Sequence, residues 1–452
     1  MIGYKKTPLE IGNVLRLLSS KKVPYILFKC EHIFAGKNSN VDILIEKGIE
    51  YTKAGYYLEK EGFVLYMSEK VEKYKRMYVK LINNEVYAIH LHREVAWHGI
   101  KVLDKKGIFA RKKKVNSIIT IPSSEDSLLI HTAHILFENF KIREREKEII
   151  SSCLAAKLDW NYINWQLRKN GWKKGFYDLL NKITRNKKPL MADLVHNYLR
   201  KMVHSPSQSF YLLKKVLRSK ARNFSLRRKG LLITLVGVNG SGKTSLARKT
   251  LQAYKPLTNF AHGQFGYYFG WEPFLPSTKL LSRVLKSRNR KIFNDLNQQH
   301  KPFSIWKELI FIYNYVEYLA RYLYFIYPQL RKNKLVVTDR YFYDLYAQYS
   351  SAAHSKILPF MFSIYPKPDY LFVLDANVQT IEQRDKNTEV FSRRIVASAK
   401  RKVHERGYLL DQKKRYGYLA KVLKGELLNT EKPINQNADR IITKTWTSVL
   451  KK

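Results

Sequence analysis

The stretch from Leu231 to Thr250 leaves little freedom in how this chain folds. Leu231-Leu-Ile-Thr-Leu-Val-Gly237 is a run of apolar and β-branched residues that reads as a buried strand. It passes without a spacer into Gly237-Val-Asn-Gly-Ser-Gly-Lys-Thr244, and the helical Ser-Leu-Ala-Arg-Lys-Thr follows. Strand, glycine-rich turn and helix in that order satisfy G-x-x-x-x-G-K-[ST] together with its structural context. The glycines let the backbone curl so that successive N–H groups and a helix N-terminus point at one anion. Gly237, Val238, Asn239, Gly240, Ser241, Gly242, Lys243, Thr244 and Ser245 are therefore candidate nucleotide-binding residues. Lys243 is expected on the β and γ phosphates and Thr244 on Mg²⁺, which makes ATP and Mg²⁺ the implied cofactors.

Beyond this loop, Leu335 to Thr338, Tyr370 to Leu374 and Arg440 to Thr443 are short β-rich runs between long helical patterns. Such alternation predicts an α/β domain over residues 230–452, a P-loop NTPase parallel sheet covered by helices. In Lys334-Leu-Val-Val-Thr-Asp-Arg-Tyr341 a carboxylate ends a strand, where it can hold the water shell of Mg²⁺, and the next guanidinium can grip an acceptor phosphate. Asp339 and Arg340 join Lys243 as catalytic candidates, and Asp339 joins Thr244 as a metal candidate.

The triplet Asp339-Arg340-Tyr341 after a buried strand resembles the hallmark of the thymidylate kinase family, over roughly residues 230 to 445. Tyr327-Pro-Gln-Leu330 before it, Asp344-Leu-Tyr-Ala-Gln348 after it and the strand in Pro366-Lys-Pro-Asp-Tyr-Leu-Phe-Val-Leu-Asp375 fit the same arrangement. The resemblance implies that Arg384 leads into a basic lid containing Arg393 and Arg394. It also implies direct γ-phosphoryl transfer to a nucleoside monophosphate such as dTMP or a related small anionic acceptor. The chain departs from the family at three places. Asn239 stands where an acid contacts the acceptor's sugar, Tyr318 where a helix arginine is expected, with Arg321 one turn on, and Asp344 where a serine is usual. The aromatic stretch from His262 to Pro273 falls where such kinases place acceptor-binding groups, and its rings suit either stacking on a base or covering a core.

The N-terminal half reads differently. Residues 1–115 mix short apolar runs with helical patterns, as in a small α/β unit. Tyr25-Ile-Leu-Phe-Lys-Cys, Ser39-Asn-Val-Asp-Ile-Leu-Ile45 and Tyr87-Ala-Ile-His-Leu-His92 resemble a group of nucleotidyltransferase-like proteins in which Asp-x-Asp and a later acid hold two metal ions. Here Asn40 and His90 occupy two of those acidic positions and only Asp42 remains, so the domain is expected to be degenerate or a binding module. Residues 116–210 read as a helical extension, with Ser123 capping its first helix and Asp126 in the N3 position. His131 and His134 there suit either packing or metal ligation.

Residues 211–229 read as a basic linker, because Lys214 to Lys229 holds eight Lys or Arg and no acid. The formal charge of +46, from 83 basic against 37 acidic residues, fits a polyanion partner such as nucleic acid or an anionic surface, and equally a solvated basic face. This keeps open a second reading, a polynucleotide-associated nucleotide-binding protein or a bifunctional nucleotidyltransferase/kinase. Two cysteines, Cys30 and Cys153, make no disulfide framework, and the start of the chain lacks a signal-peptide core, so the cytoplasm is the expected location. Leu309 to Leu330 is apolar but carries Asn314, Glu317 and Arg321, which predicts a packed helix rather than a transmembrane segment. Acceptor identity and oligomeric state are not written in the sequence.

Overall fold

The computed structural model describes residues 9–29, 40–185, 228–257, 264–270, 273–279, 305–391 and 406–451, with Leu199 and Phe210. The chain divides into two compact units, Met1–Ala221 and Arg222–Lys452.

In the first unit, α1 (Leu9–Ser20), β1 (Tyr25–Phe28), β2 (Asn40–Ile45), α2 (Gly48–Lys60), β3 (Val64–Met67), β4 (Lys75–Ile82) and β5 (Glu85–His92) build a five-stranded sheet in the order β1-β2-β5-β4-β3. Only β2 and β5 run parallel. Because side chains alternate along a strand, each strand serves two layers. Val41, Ile43 and Ile45 of β2 pack with Ile11, Leu15 and Leu18 of α1 and with Tyr51 and Leu58 of α2. Leu44, one residue out of phase, packs instead with the helical layer formed by α3 (Lys105–Ala110), α4 (Ser124–His134), α5 (Glu144–Leu154), α6 (Trp160–Asn170) and α7 (Lys173–Thr184). Asp42 shares that second face. The Ser123 side chain accepts from the Asp126 N–H at 3.1 Å, which caps α4 as its sequence predicts. The end of α4 continues as a π-helical turn, Ile135–Asn139, and Phe140 closes it in the left-handed region at φ 48°.

The second unit is built on β6 (Leu231–Gly237), α8 (Lys243–Ala253), β7 (Gln264–Tyr268), α9 (Ile305–Arg321), α10 (Tyr327–Arg331), β8 (Leu335–Asp339), α11 (Asp344–Gln348), α12 (Leu358–Ile364), β9 (Tyr370–Asp375), α13 (Val378–Phe391), α14 (Arg406–Val422), β10 (Glu426–Asn429) and α15 (Ile434–Lys451). Its sheet has the order β7-β8-β6-β9-β10, and every pairing is parallel. All seven residues of β6 are buried, so helices cover the sheet on both faces. Each fully buried aliphatic side chain here contributes roughly 1.5–3 kcal/mol.

One reading of the sequence is corrected. Arg440 to Thr443 is not a strand but lies in α15, where Ala438, Ile441, Ile442, Thr445 and Val449 form a buried helical stripe. That 3.6-residue period outweighs the β propensity of the individual side chains. The last strand is β10 instead. Part of the aromatic stretch from His262 to Pro273 is the edge strand β7, paired with β8 from Gln264↔Leu335 to Tyr268↔Asp339. The apolar run from Leu309 is helical as read, passing from α9 through a π-helical turn, Tyr322–Ile326, into α10. Among the described residues no helix is long and apolar enough to cross a membrane.

Candidate active site

The sheet order reverses at β6, with β8 on one side and β9 on the other, and the loop after β6 opens at that switch point. Gly237 has φ 151°, and a Cβ there would stand 2.6 Å from the Leu374 carbonyl oxygen, so no side chain fits. Gly240 and Gly242 have φ of 80° and 91°, left-handed values that suit glycine, and Gly242 is the N-cap of α8.

Lys243 folds back over this loop, donating from Nζ to the carbonyls of Gly237 at 2.9 Å and Val238 at 2.7 Å. Burial, with Arg340 adding to it, lowers its pKa to about 8. The Thr244 hydroxyl donates to Oδ2 of Asp339, so the end of β8 and the start of α8 meet at one point. Asp339 Oδ1 and Ser241 Oγ are buried with no hydrogen-bond partner among the described residues. Buried polar atoms left unsatisfied cost about 1–3 kcal/mol each. A hydroxyl and a carboxylate of this kind are the hard oxygen donors that Mg²⁺ takes, and a loop of glycines around a buried ammonium suits a polyphosphate.

Arg340 follows Asp339 at φ 78°, an uncommon conformation for a non-glycine residue, with its N–H bonded to the Leu235 carbonyl at 2.8 Å. Its guanidinium donates to Asn239 Oδ1 in the loop and to Asp344 Oδ2 at 2.9 Å. Asp344 is 1% exposed and also accepts from the Tyr416 hydroxyl of α14 at 3.1 Å. Burial pushes the Asp344 carboxyl up, against the opposing pull of Arg340 and Lys243. Arg384 of α13 reaches the same loop, donating to the Gly240 carbonyl at 3.4 Å and the Thr430 carbonyl at 2.8 Å. Lys243, Thr244, Asp339, Arg340, Asn239, Gly240 and Arg384 are thus linked around one loop. Arg393 and Arg394 lie outside the described residues.

Tyr318, at the position where an arginine was expected, is buried beside Phe269 and Phe342. Arg321 is also buried, bonded to the Gly270 carbonyl and the Tyr267 hydroxyl, and its guanidinium lies 5.0 Å from the Phe269 ring centroid. It serves to anchor the chain beyond β7. The contacts of Arg340 with Asp344 and Tyr416 were missed in the sequence, because Arg340 lies outside the helix that begins at Asp344 and no helical spacing links them.

A second polar cluster lies in the N-terminal unit. Parallel pairing of β2 and β5 sets Asp42 opposite His90, and antiparallel pairing of β4 and β5 sets Lys75 opposite His92. Asp42 Oδ1 is 2.7 Å from His92 Nε2, 3.6 Å from His90 Nδ1 and 3.9 Å from Lys75 Nζ, while Lys29 Nζ is 3.7 Å from Oδ2. Burial works against ionised Asp42, but Lys29, His92, His90 and Lys75 outweigh it and hold the carboxyl well below its usual range. Burial takes His92 down to about 4 and keeps His90 well below its ordinary value. Glu138, in the π-helical turn, faces Lys29 at 3.9 Å and His134 at 2.8 Å. His134 is engaged there and His131 is buried, so neither joins Asp42.

No family model matches the chain. Among curated proteins it is similar to thymidylate kinases from two strains of Ureaplasma parvum serovar 3, each 26% identical over 168 residues. Those matches cover 35% of this chain and 66% of the relatives, just under two thirds of their length. Among solved structures, thymidylate kinase from Candida albicans covers 50% of this chain and 94% of that one at 15% identity, with a TM-score of 0.33. A TM-score that low carries no argument. The nucleotidyltransferase reading of the N-terminal half draws no support from these comparisons. What they establish is similarity to thymidylate kinase, at low identity, over about a third of the chain.

Proposed function

We propose that the C-terminal unit is an ATP- and Mg²⁺-dependent kinase that phosphorylates a nucleoside monophosphate, dTMP or a close relative, or another small anionic acceptor. The observation that carries this reading is the meeting of Thr244 with Asp339 beside the stored ammonium of Lys243, next to buried oxygens that have no hydrogen-bond partner among the described residues. Similarity to thymidylate kinases supports the choice of acceptor class.

In this reading Thr244 and Asp339 hold Mg²⁺, which when bound neutralises charge on the transferring phosphoryl group. The loop N–H groups from Val238 to Ser245 orient the triphosphate. Lys243 exchanges the Gly237 and Val238 carbonyls for phosphate oxygens, and so carries its charge to the reacting group without leaving its pocket. Arg340, held between Asn239 and Asp344, grips the acceptor's anion, and Arg384 completes the positive lining beside Gly240. Arg393 and Arg394, outside the described residues, are assigned to the nucleotide by the family resemblance alone. No covalent intermediate is needed, because positioning and charge neutralisation supply the catalysis.

The test is ATP consumption with Mg²⁺ against a panel of nucleoside monophosphates, with Lys243→Ala as control. Turnover with one or a few monophosphates that vanishes in the variant supports the reading. Intact ATP binding with no turnover on any monophosphate would refute the acceptor class.

A further inference from the structure

We propose that Asp42, His90 and His92 of the N-terminal unit form a binding site for one divalent transition-metal ion of the Zn²⁺ class. One carboxylate and two imidazoles each present a ligand atom here, all within 4.8 Å of one another. Their convergence is fixed by the backbone. His90 lies opposite Asp42 on the neighbouring parallel strand, and His92 lies two residues on, on the same face of the sheet. A carboxylate with two imidazoles suits Zn²⁺, Fe²⁺ or Ni²⁺, whereas Mg²⁺ takes oxygen ligands. The site is therefore different in kind from a pair of Mg²⁺ ions held by several acids.

Two further observations point to a ligand. His92 is 1% exposed, and its Nδ1 is buried with no hydrogen-bond partner among the described residues, as is Oδ1 of Asn40 two residues before Asp42. Three unusual backbone conformations also surround the cluster. Lys29 stands at φ 59°, the π-helical turn Ile135–Asn139 delivers Glu138, and Phe140 ends that turn at φ 48°. Such departures recur at functional sites.

The charges around the site set its affinity. Lys29 Nζ stands 3.7 Å from Asp42 and 3.9 Å from Glu138, bridging two carboxylates as a bound cation would, and Lys75 lies 3.9 Å from Asp42. The ion takes the bridging place of the Lys29 ammonium, whose flexible stem lets it withdraw, and Glu138 offsets part of the added charge. The site is thus a competition between a built-in cation and an external one.

The experiment is a Co²⁺ titration of the full-length, nucleotide-free protein followed by visible absorption, with Zn²⁺ displacement read by calorimetry. We expect one ion per chain, affinity weakened in His90→Ala and in His92→Ala by more than the about 10- to 100-fold that loss of a residue merely orienting a ligand costs, and tightened in Lys29→Met. Circular dichroism checks that each variant is folded. Binding unchanged in folded His92→Ala would overturn the proposal. So would the absence of a cobalt spectrum in both the wild type and folded Lys29→Met, which would make the cluster a closed ion-pair network.

Discussion

The two polar clusters of this chain handle buried charge in opposite ways. Around the glycine loop, a cation rests on neutral carbonyls, and a carboxylate oxygen, Oδ1 of Asp339, has no hydrogen-bond partner among the described residues. In the N-terminal unit the central carboxylate, Asp42, is surrounded by two imidazoles and two ammoniums. In the proposed reading the first arrangement directs its electrostatic potential at something that arrives from solution. The second spends it largely on itself. Charge in the first cluster should therefore matter mostly for turnover and charge in the second mostly for stability.

The strongest test of that contrast is Lys243→Ala, expected to lower phosphoryl transfer about 10² to 10⁵-fold, with the thermal transition little changed. Steady-state ATP consumption alongside a melting curve reads both. Next is Asp42→Ala, which strands Lys29 and Lys75 near a buried face and is expected to cost about 3–5 kcal/mol in chemical denaturation. A loss below 1 kcal/mol would mean that water already reaches the cluster and the contrast fails.

A pH series sharpens it further. In the proposed reading the free protein binds triphosphate through protonated Lys243, whose pKa burial lowers to about 8. Affinity should hold below that pH and fall about tenfold per unit above it, measured by nucleotide titration, until the raised pKa of the complex is reached. The slope should be absent in Lys243→Ala. The smallest effect on stability concerns Asp339→Ala, expected to shift unfolding free energy by about 1 kcal/mol or less, because the lost bond from Thr244 is offset by removal of an unsatisfied buried oxygen. Thr244 is exposed and can turn to water. The same variant should abolish turnover.

What the sequence made legible was whatever lies close together along the chain. The strand, loop and helix around Lys243 could be read because backbone geometry and chemistry are set by neighbouring residues. Asp339 could be placed because the end of a buried parallel strand is a recognisable position. Arg440 to Thr443 misled because β-branched residues carry a strand signal that only the spacing of Ala438, Ile441, Thr445 and Val449 overrules. The edge strand Gln264–Tyr268 was hidden by its central glycine, which breaks up the strand signal that its aromatic residues carry. In the N-terminal unit Asp42 and His90 were noticed, but their meaning was not. Lys29, Lys75, His92 and Glu138 come from four separate elements, and only the sheet register and a π-helical turn bring them to one carboxylate.

The chain of contacts from Asn239 through Arg340 and Asp344 to Tyr416 has a consequence in the language of linkage. It ties the glycine loop to helix α14 by hydrogen bonds that a bound anion must compete with, since a guanidinium drawn toward phosphate is shared with Asn239 and Asp344. By thermodynamic reciprocity, whatever free energy ligand binding takes from the Tyr416–Asp344 bond, loosening that bond returns to ligand affinity. Tyr416, in α14, thereby becomes a reporter and a tuning point for events at the loop.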